Sequence, residues 1–399
     1  MEQPTASSHP SSCKVMLVAG EASGDKHGAA LARSLKALYP ETQFEFFGSG
    51  GEEMRDAGVE TLVDARDVAI IGIPEIVRAF GKLYGAFRRL IEAARQRKPD
   101  AVVLVDWPDF NMRVAKKLHR DGFKIVYYIS PQLWAWRRYR VRAIRRDVDK
   151  MLVILPFEEE FYTGEGVAVE YIGHPLVESV QRTVSRDEFC RKYGLDANDS
   201  IIALLPGSRR KEIHYHLPAM ADAAKRLRDW AATNLQSAIR NPQFVLPLAS
   251  TVSHEQVEPV IRAAGVAVTM IERDTYNALG HAAFAIVASG TATVEMALAG
   301  TPMVIVYRGS EVNWRLIRPL IKLDTFGMVN LIAGRRIVPE LMQHDCTGEK
   351  IAAEVQALWS DAARLAAMRK ELAEVRERLR TDGSVPARAA QAVMRLIGQ

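Results

Sequence analysis

From Phe284 to Tyr307 the chain reads strand, glycine turn, short helix, second glycine turn, strand, and no other stretch narrows the possible folds as much. The run Phe284 to Ala288 is short and continuously apolar, as a strand covered on both faces of a parallel sheet requires. The unit as a whole is βαβ, which points to an α/β fold. Gly290 lets the chain turn tightly, and Ser289, Thr291 and Thr293 bring hydroxyls and backbone N–H groups to the start of the helix. A helix N-terminus favours an anion such as a diphosphate. Glu295, on the first turn, is placed to accept hydrogen bonds from ribose hydroxyls. We therefore read the stretch as a cradle for a nucleotide sugar. A plain βαβ turn with capping hydroxyls is the alternative, because glycine turns alone are weak motifs.

At 399 residues the chain exceeds a typical single domain, and two α/β domains fit its length. Its 48% hydrophobic and 25% charged residues describe a globular chain with a real core. Cys13, Cys190 and Cys346 are far apart and match no metal spacing, so a reducing compartment is expected. No run of ~18 apolar residues is present to span a bilayer. The N-terminal residues lack the basic start and apolar segment of a secretory signal, and residues 1–13 are expected to be a disordered tail. A net charge of +5 and a pI near 9.0 favour anionic partners: nucleic acid, anionic lipid or phosphorylated metabolites.

Lys14 to Ala19 reads as a buried strand, followed by the turn Gly20 to Asp25 and a helix to about Leu38. The spacing Gly20, Gly24, Gly28 fits neither the dinucleotide fingerprint nor the P-loop, which counts against a dinucleotide enzyme or an NTPase. Ser23 and Asp25 are good helix caps. Between Gly72 and Arg97, residues including Ile76, Phe80, Leu83 and Phe87 recur at helical spacing with arginines between them. Such a stripe is either core or a surface for a membrane and acyl chains. In Ala101 to Asn111 a buried strand ends on Asp106, at the strand end where α/β sheets bind ligands. Asp109 is expected to cap the next helix, which leaves Asp106 free for chemistry.

Arg137 to Arg146 holds six arginines in ten residues, beside Trp134 and Trp136. It suits nucleic acid, a substrate phosphate or anionic headgroups, but no RNP, KH or helix-turn-helix signature supports the first. Asp147 and Asp149 spell D-x-D, which we read as an accidental acid pair at a helix–strand junction, so no metal site is expected. A domain boundary falls near 175–185. The second domain opens with the strand from Ile201 and the turn Gly207, Ser208, Arg209, whose arginine is placed to neutralise a diphosphate. The expected division is 14–180, 181–370, and C-terminal helices 371–399 packing back on the first domain.

Ten stretches in order resemble the lipid-A-disaccharide synthase family: AGEASGD at 19–25, IGIPEIV at 71–77, DWPDFN at 106–111, SPQLWAWR at 130–137, LPFE at 155–158, IGHP at 172–175, LPGSR at 205–209, ASGTATVE at 288–295, PMVIVYR at 302–308 and NLIAG at 330–334. The resemblance implies a GT-B fold, two Rossmann-like domains facing each other across a cleft, and an inverting glycosyltransferase needing no cofactor. UDP-2,3-diacylglucosamine would donate its sugar to 2,3-diacylglucosamine 1-phosphate at the cytoplasmic surface of the inner membrane, where the protein would be peripherally held. Asp106 and Arg209 match the family's essential acid and arginine. Gly207, Ser208, Ser289, Gly290, Thr291, Glu295, Asn330 and Gln343 would serve the UDP-sugar, and Glu21, Ser23, Gly24 and Asp25 the acceptor side. Ile76, Phe80, Leu83 and Phe87 would meet acyl chains or membrane. Trp107 stands where the family often has alanine, and Val329 where it often has proline. The family also exchanges C-terminal halves between protomers, so a homodimer is among the expectations. An epimerase of UDP-N-acetylglucosamine, or another GT-B enzyme on a non-acylated sugar, is the competing activity.

Overall fold

The computed structural model describes residues 10–68, 76–234, 241–318 and 324–398. The chain forms two compact units: one runs through His174 and resumes at Thr381, and the other is Pro175–Arg380.

The first unit is built on a parallel sheet of seven strands: β1 (Ser12–Val18), β2 (Gln43–Gly50), β3 (Glu60–Asp64), β4 (Ala101–Val105), β5 (Ile125–Tyr128), β6 (Lys150–Val153) and β7 (Val169–Tyr171). Their order is 3-2-1-4-5-6-7, so the direction of winding reverses between β1 and β4. Open α/β sheets bind ligands beyond the strand ends at such a switch point. Here it brings together the turn after β1, holding Glu21, and the turn after β4, holding Asp106. β1 and β4 are apolar almost throughout because helices cover both faces.

One covering helix, Val385–Ile397, comes from the C-terminus. Val385, Ala389, Ala390 and Val393 are buried in the same cluster as Leu31 and Leu35 of the helix Ala22–Leu38. Arg388 donates to Tyr171 O at 3.0 Å and Arg395 pairs with Glu170 at 2.6 Å, which fixes the helix beside β7. The expected return at 371 falls later, because the helix Ala362–Leu379 is continuous and stays with the second unit. The expected tail 1–13 is also too long. Ser12 and Cys13 already pair with Gln43 and Phe44 of β2, and the Cys13 side chain is wholly buried; residues 1–9 lie outside those described.

The second unit repeats the plan with six parallel strands: β8 (Ile201–Leu205), β9 (Gln243–Leu248), β10 (Val268–Glu272), β11 (Phe284–Ala288), β12 (Met303–Tyr307) and β13 (Glu340–Met342), in the order 10-9-8-11-12-13. Its switch point lies between β8 and β11, at the turns that carry Gly207 and Gly290. The helix Ala292–Ala299 follows β11 and stops at Gly300, whose φ is +75°. Each fully buried Ile, Leu or Val along these strands contributes roughly 1.5–3 kcal/mol relative to exposure.

Candidate active site

In the first unit the chain turns from β4 into the helix Pro108–Arg120 through two left-handed residues, Asp106 (φ +49°) and Trp107 (φ +50°). Non-glycine residues held there cost of order 1–3 kcal/mol each unless the surroundings fix them. Several bonds do so: Asp106 N–H donates to Tyr128 O at 3.0 Å, while Asp106 O accepts from the Tyr127 hydroxyl and from Asn111 Nδ2, both at 2.8 Å. Asn111 is fully buried and also reaches Val105 O at 3.2 Å. Burial pushes the Asp106 carboxyl above the ordinary carboxylate range, and the negative charge of Glu21 adds to this. An acid shifted upward in this way is better matched to accepting a proton near neutral pH.

Trp107 does not extend into solvent. Its indole stacks on Phe110 with centroids 3.9 Å apart, and Phe110 meets Phe87 edge-on at 6.3 Å. These rings, with Leu83, Tyr84, Pro108, Asp109, Arg113 and Glu21, line a cavity of about 690 Å³. The helical stripe of Ile76–Arg97 therefore divides its work. Leu90, Ile91 and Ala94 enter the core, whereas Leu83 and Phe87 pack against it from the cavity side. Ile76 and Phe80 carry side chains outside those described, as does the segment 69–75. Asp109 caps nothing. It holds Arg140 at 2.6 Å and Arg137 at 3.6 Å, while the cap position is Trp107.

The same unit also buries the carboxyl of Glu158. Glu158 accepts from Ser130 Oγ at 2.6 Å, Trp134 Nε1 at 3.0 Å and Leu155 N–H at 3.2 Å, pinning the turn between β5 and the arginine segment. Burial raises its pKa to about 7.

In the second unit the ends of β8, β11, β12 and β13 open into a cavity of about 800 Å³. Arg210, Lys211, His214 and His216 come from the first turns of the helix Arg210–Thr233, Ser289 follows β11, and Tyr307 to Ser310 follow β12; Trp314, Phe326 and Met342 complete the wall. Arg210, Lys211 and Arg308 give it a cationic lining against the single carboxylate Glu212. His216 Nδ1 lies 2.8 Å from Pro206 O, and burial depresses its pKa.

The expected donor residues divide. Ser289 lines the cavity and donates to Phe326 O at 3.0 Å. Gly290 and Thr291 are exposed at the helix start, and Thr293 is buried, donating to Gly290 O at 2.8 Å. Gln343, buried at φ +51°, clamps the rim: its Oε1 accepts from Gly309 N–H at 3.1 Å, and its Nε2 donates to Gly309 O and to Glu311, each at 3.0 Å. Asn330 is fully buried among backbone groups of Ile337 and Val338 and the carboxylate of Glu340, which in turn accepts from Phe326 N–H. Both residues thus shape the cavity from behind. Glu295, half-buried near Tyr276, is not among the lining residues.

Arg209 departs furthest from expectation. Its side chain is 82% exposed, pairs with Glu212 at 3.1 Å, and does not line the cavity. Glu212 also accepts from the N–H groups of Ser208 (2.8 Å) and Arg209 (3.2 Å), which the glycine turn had been expected to offer to a diphosphate. Gly207, at φ +116°, brings its backbone against the same carboxylate; a β-carbon there would stand 2.4 Å from Glu212 Oε2. On the other unit, Asp25 is likewise occupied: its carboxylate takes the N–H groups of Gly51, Glu53 and Met54, at 2.6, 3.1 and 3.1 Å. Gly24 is buried, while Glu21 and Ser23 remain exposed. The D-x-D pair is spent locally, Asp147 on Arg146 and Asp149 on Ile125 N–H.

Residues 15–394 match the lipid-A-disaccharide synthetase family. The chain belongs to that family. The lipid-A-disaccharide synthase of Koribacter versatilis is 47% identical over 388 residues, covering 96% of this chain and 98% of that protein. Among solved structures, a UDP-N-acetylglucosamine 2-epimerase from Neisseria meningitidis, bound to UDP-GlcNAc, superposes with a TM-score of 0.57 at 12% identity, covering 96% of this chain and 99% of the other. A glycosyltransferase from Rickettsia africae gives 0.55 at 11% identity, covering 97% and 98%. At such identities the likeness concerns the fold alone, and that fold is GT-B. For this member of the family, the cavity residues Lys211, His214, His216, Arg308 and Trp314 went unseen in the sequence because the helix from Arg210 and the segment after β12, about 100 residues apart, meet only in the fold. The arginine ending the PMVIVYR stretch was the one available signal.

Proposed function

We propose that this chain is the inverting glycosyltransferase that carries the sugar of UDP-2,3-diacylglucosamine to the 6-hydroxyl of 2,3-diacylglucosamine 1-phosphate. The bond from the anomeric carbon to the UDP oxygen breaks, a β(1→6) glycosidic bond forms, and UDP departs. Asp106 takes the hydroxyl proton as the new bond forms. Such general-base help is typically worth 10²–10⁴-fold. The donor's diphosphate belongs at the cationic cavity of the second unit, where Arg308, Lys211 and Arg210 meet the growing charge of the leaving group. Groups fixed in advance around developing charge typically contribute ~3 kcal/mol each. Arg209, tied to Glu212 in this structure, would join them by exchanging that partner for phosphate.

The observation that carries the acylated substrate class is the aromatic cavity at Trp107, Phe110 and Phe87, directly after Asp106 in the fold. Aliphatic chains gain roughly 0.8 kcal/mol per buried CH₂, so a cavity of this kind favours acylated sugars over bare ones. Tyr84, Trp136 and Tyr139 are exposed (58%, 47% and 70%) and stand among the arginines of the first unit. Exposed aromatics with basic side chains suit the headgroup region of an anionic leaflet. This supports peripheral attachment to the inner membrane from the cytoplasm. Among the described residues, no helix is long and apolar enough to cross a membrane.

The test is to supply both acylated sugars in detergent micelles and follow product by mass spectrometry. A disaccharide 1-phosphate with stoichiometric UDP supports the reading. Epimerisation or transfer with non-acylated UDP-N-acetylglucosamine, and none with the lipid pair, would replace it with the epimerase-type activity.

A further inference from the structure

Asp109 and Arg113 stand four residues apart on the helix Pro108–Arg120, the spacing at which an acid and a base ordinarily pair. They do not pair here. Asp109 is held from the other side by Arg140 at 2.6 Å and Arg137 at 3.6 Å, and Arg137 is further fixed against the Trp136 ring at 4.0 Å. Arg113 is left at the mouth of the aromatic cavity with no carboxylate partner among the described residues. Arg113 is the one cationic side chain lining the cavity, beside Asp109 and Glu21, and Arg137 and Arg140 neutralise Asp109 without lining the cavity themselves.

A cavity with aromatic walls and one uncommitted guanidinium complements an amphiphile that carries acyl chains and a phosphate. A guanidinium offers paired N–H donors that match phosphate oxygens. We propose that Arg113 binds the anomeric phosphate of the acceptor and thereby selects a sugar 1-phosphate over the same sugar without it. The inference rests on the transferase reading above. Five residues of helical rise, roughly 8 Å, separate Arg113 from Pro108 at the start of the helix. That is comparable with the length of one hexose, so the phosphate end can rest on Arg113 while the opposite hydroxymethyl end lies toward Asp106. Asp109 takes no phosphate; it keeps Arg137 and Arg140 in place and leaves Arg113 available.

The experiment is steady-state kinetics in neutral-detergent micelles with the full chain, using the acceptor with and without its phosphate, for wild type, Arg113→Ala and Arg113→Lys. Loss of a charge-assisted contact should raise the KM for the phosphorylated acceptor roughly 10-fold or more. The kcat and the donor KM should stay near wild type, the dephosphorylated acceptor should change less than about 2-fold, and Arg113→Lys should recover part of the loss. Equal effects on both acceptors, or no effect, would overturn the assignment. Weakened binding of Arg113→Ala to anionic vesicles without any change in phosphate selectivity would also overturn it, assigning Arg113 to lipid headgroups. If wild type forms no disaccharide from the lipid pair, it is the transferase reading that fails.

Discussion

The carboxyl of Asp106 feels the negative charge of Glu21, which together with burial lifts its pKa above the usual carboxylate range. A base must be ionised to work, so the acid limb of kcat/KM should lie above the ordinary Asp value of about 3.9. Glu21→Gln removes one cause of the shift and should move that limb to lower pH. An unmoved limb would mean that another group sets it. The same shift has a stability consequence. An acid whose folded pKa is raised binds its proton more tightly in the native state, so its contribution declines as pH rises from the unfolded toward the folded pKa. Asp106→Asn should therefore leave the protein at least as thermostable as wild type at pH 7.5.

Trp107 lies against Gly20 so closely that a β-carbon on Gly20 would stand 2.2 Å from the indole. Gly20→Ala should thus displace the ring from Phe110 and cost roughly 1–3 kcal/mol, as overpacking does, with a higher acceptor KM. Gly20→Ala combined with Trp107→Ala should be less damaging than the sum of the two single changes. Strict additivity in urea unfolding would show that the two residues do not share this contact.

Gln343 holds Gly309 at both its N–H and its carbonyl, and Gly309 rims the cationic cavity. With net hydrogen bonds worth about 0.5–1.5 kcal/mol each, Gln343→Ala should weaken UDP binding roughly 10-fold by calorimetry, without altering the acceptor KM. Asn330→Ala, which removes four hydrogen bonds behind the cavity wall and no lining side chain, should instead act chiefly on stability.

Burial lifts Glu158 from 4.5 to about 7, so its contribution to stability should fall as pH rises between those values and level off above them. Urea unfolding at pH 5 and pH 8 should show a decline in wild type that is smaller in Glu158→Gln, by up to ~3 kcal/mol. An identical decline in the two proteins would place the titration elsewhere.

The sheet centres were legible in the sequence because β1, β4, β8, β11 and β12 are covered on both faces and so are uninterrupted apolar runs. β2 was hidden by its glycines and Glu45, and β7 and β13 are three-residue, half-buried strands with no pattern to find. Asp106 stood out because it ends a buried strand without a capping duty, whereas the duty of Asp25 lies on Gly51, Glu53 and Met54, 26 to 29 positions away and invisible to local reading. Glu212 was open to recognition: a glutamate at the third helical position can reach back to the N–H groups before the helix, the half of a capping box that Arg209, with no acceptor oxygen, cannot return. It explains why the N–H groups after Gly207 are occupied.

The most direct test of the account is single-turnover transfer by Asp106→Asn with saturating lipid acceptor and UDP-sugar, alongside a calorimetric titration with UDP. Removal of the base predicts disaccharide formation slowed by about 10²–10⁴-fold with UDP affinity within a factor of about two of wild type. Near-normal transfer by this variant would contradict the assignment of the proton to Asp106.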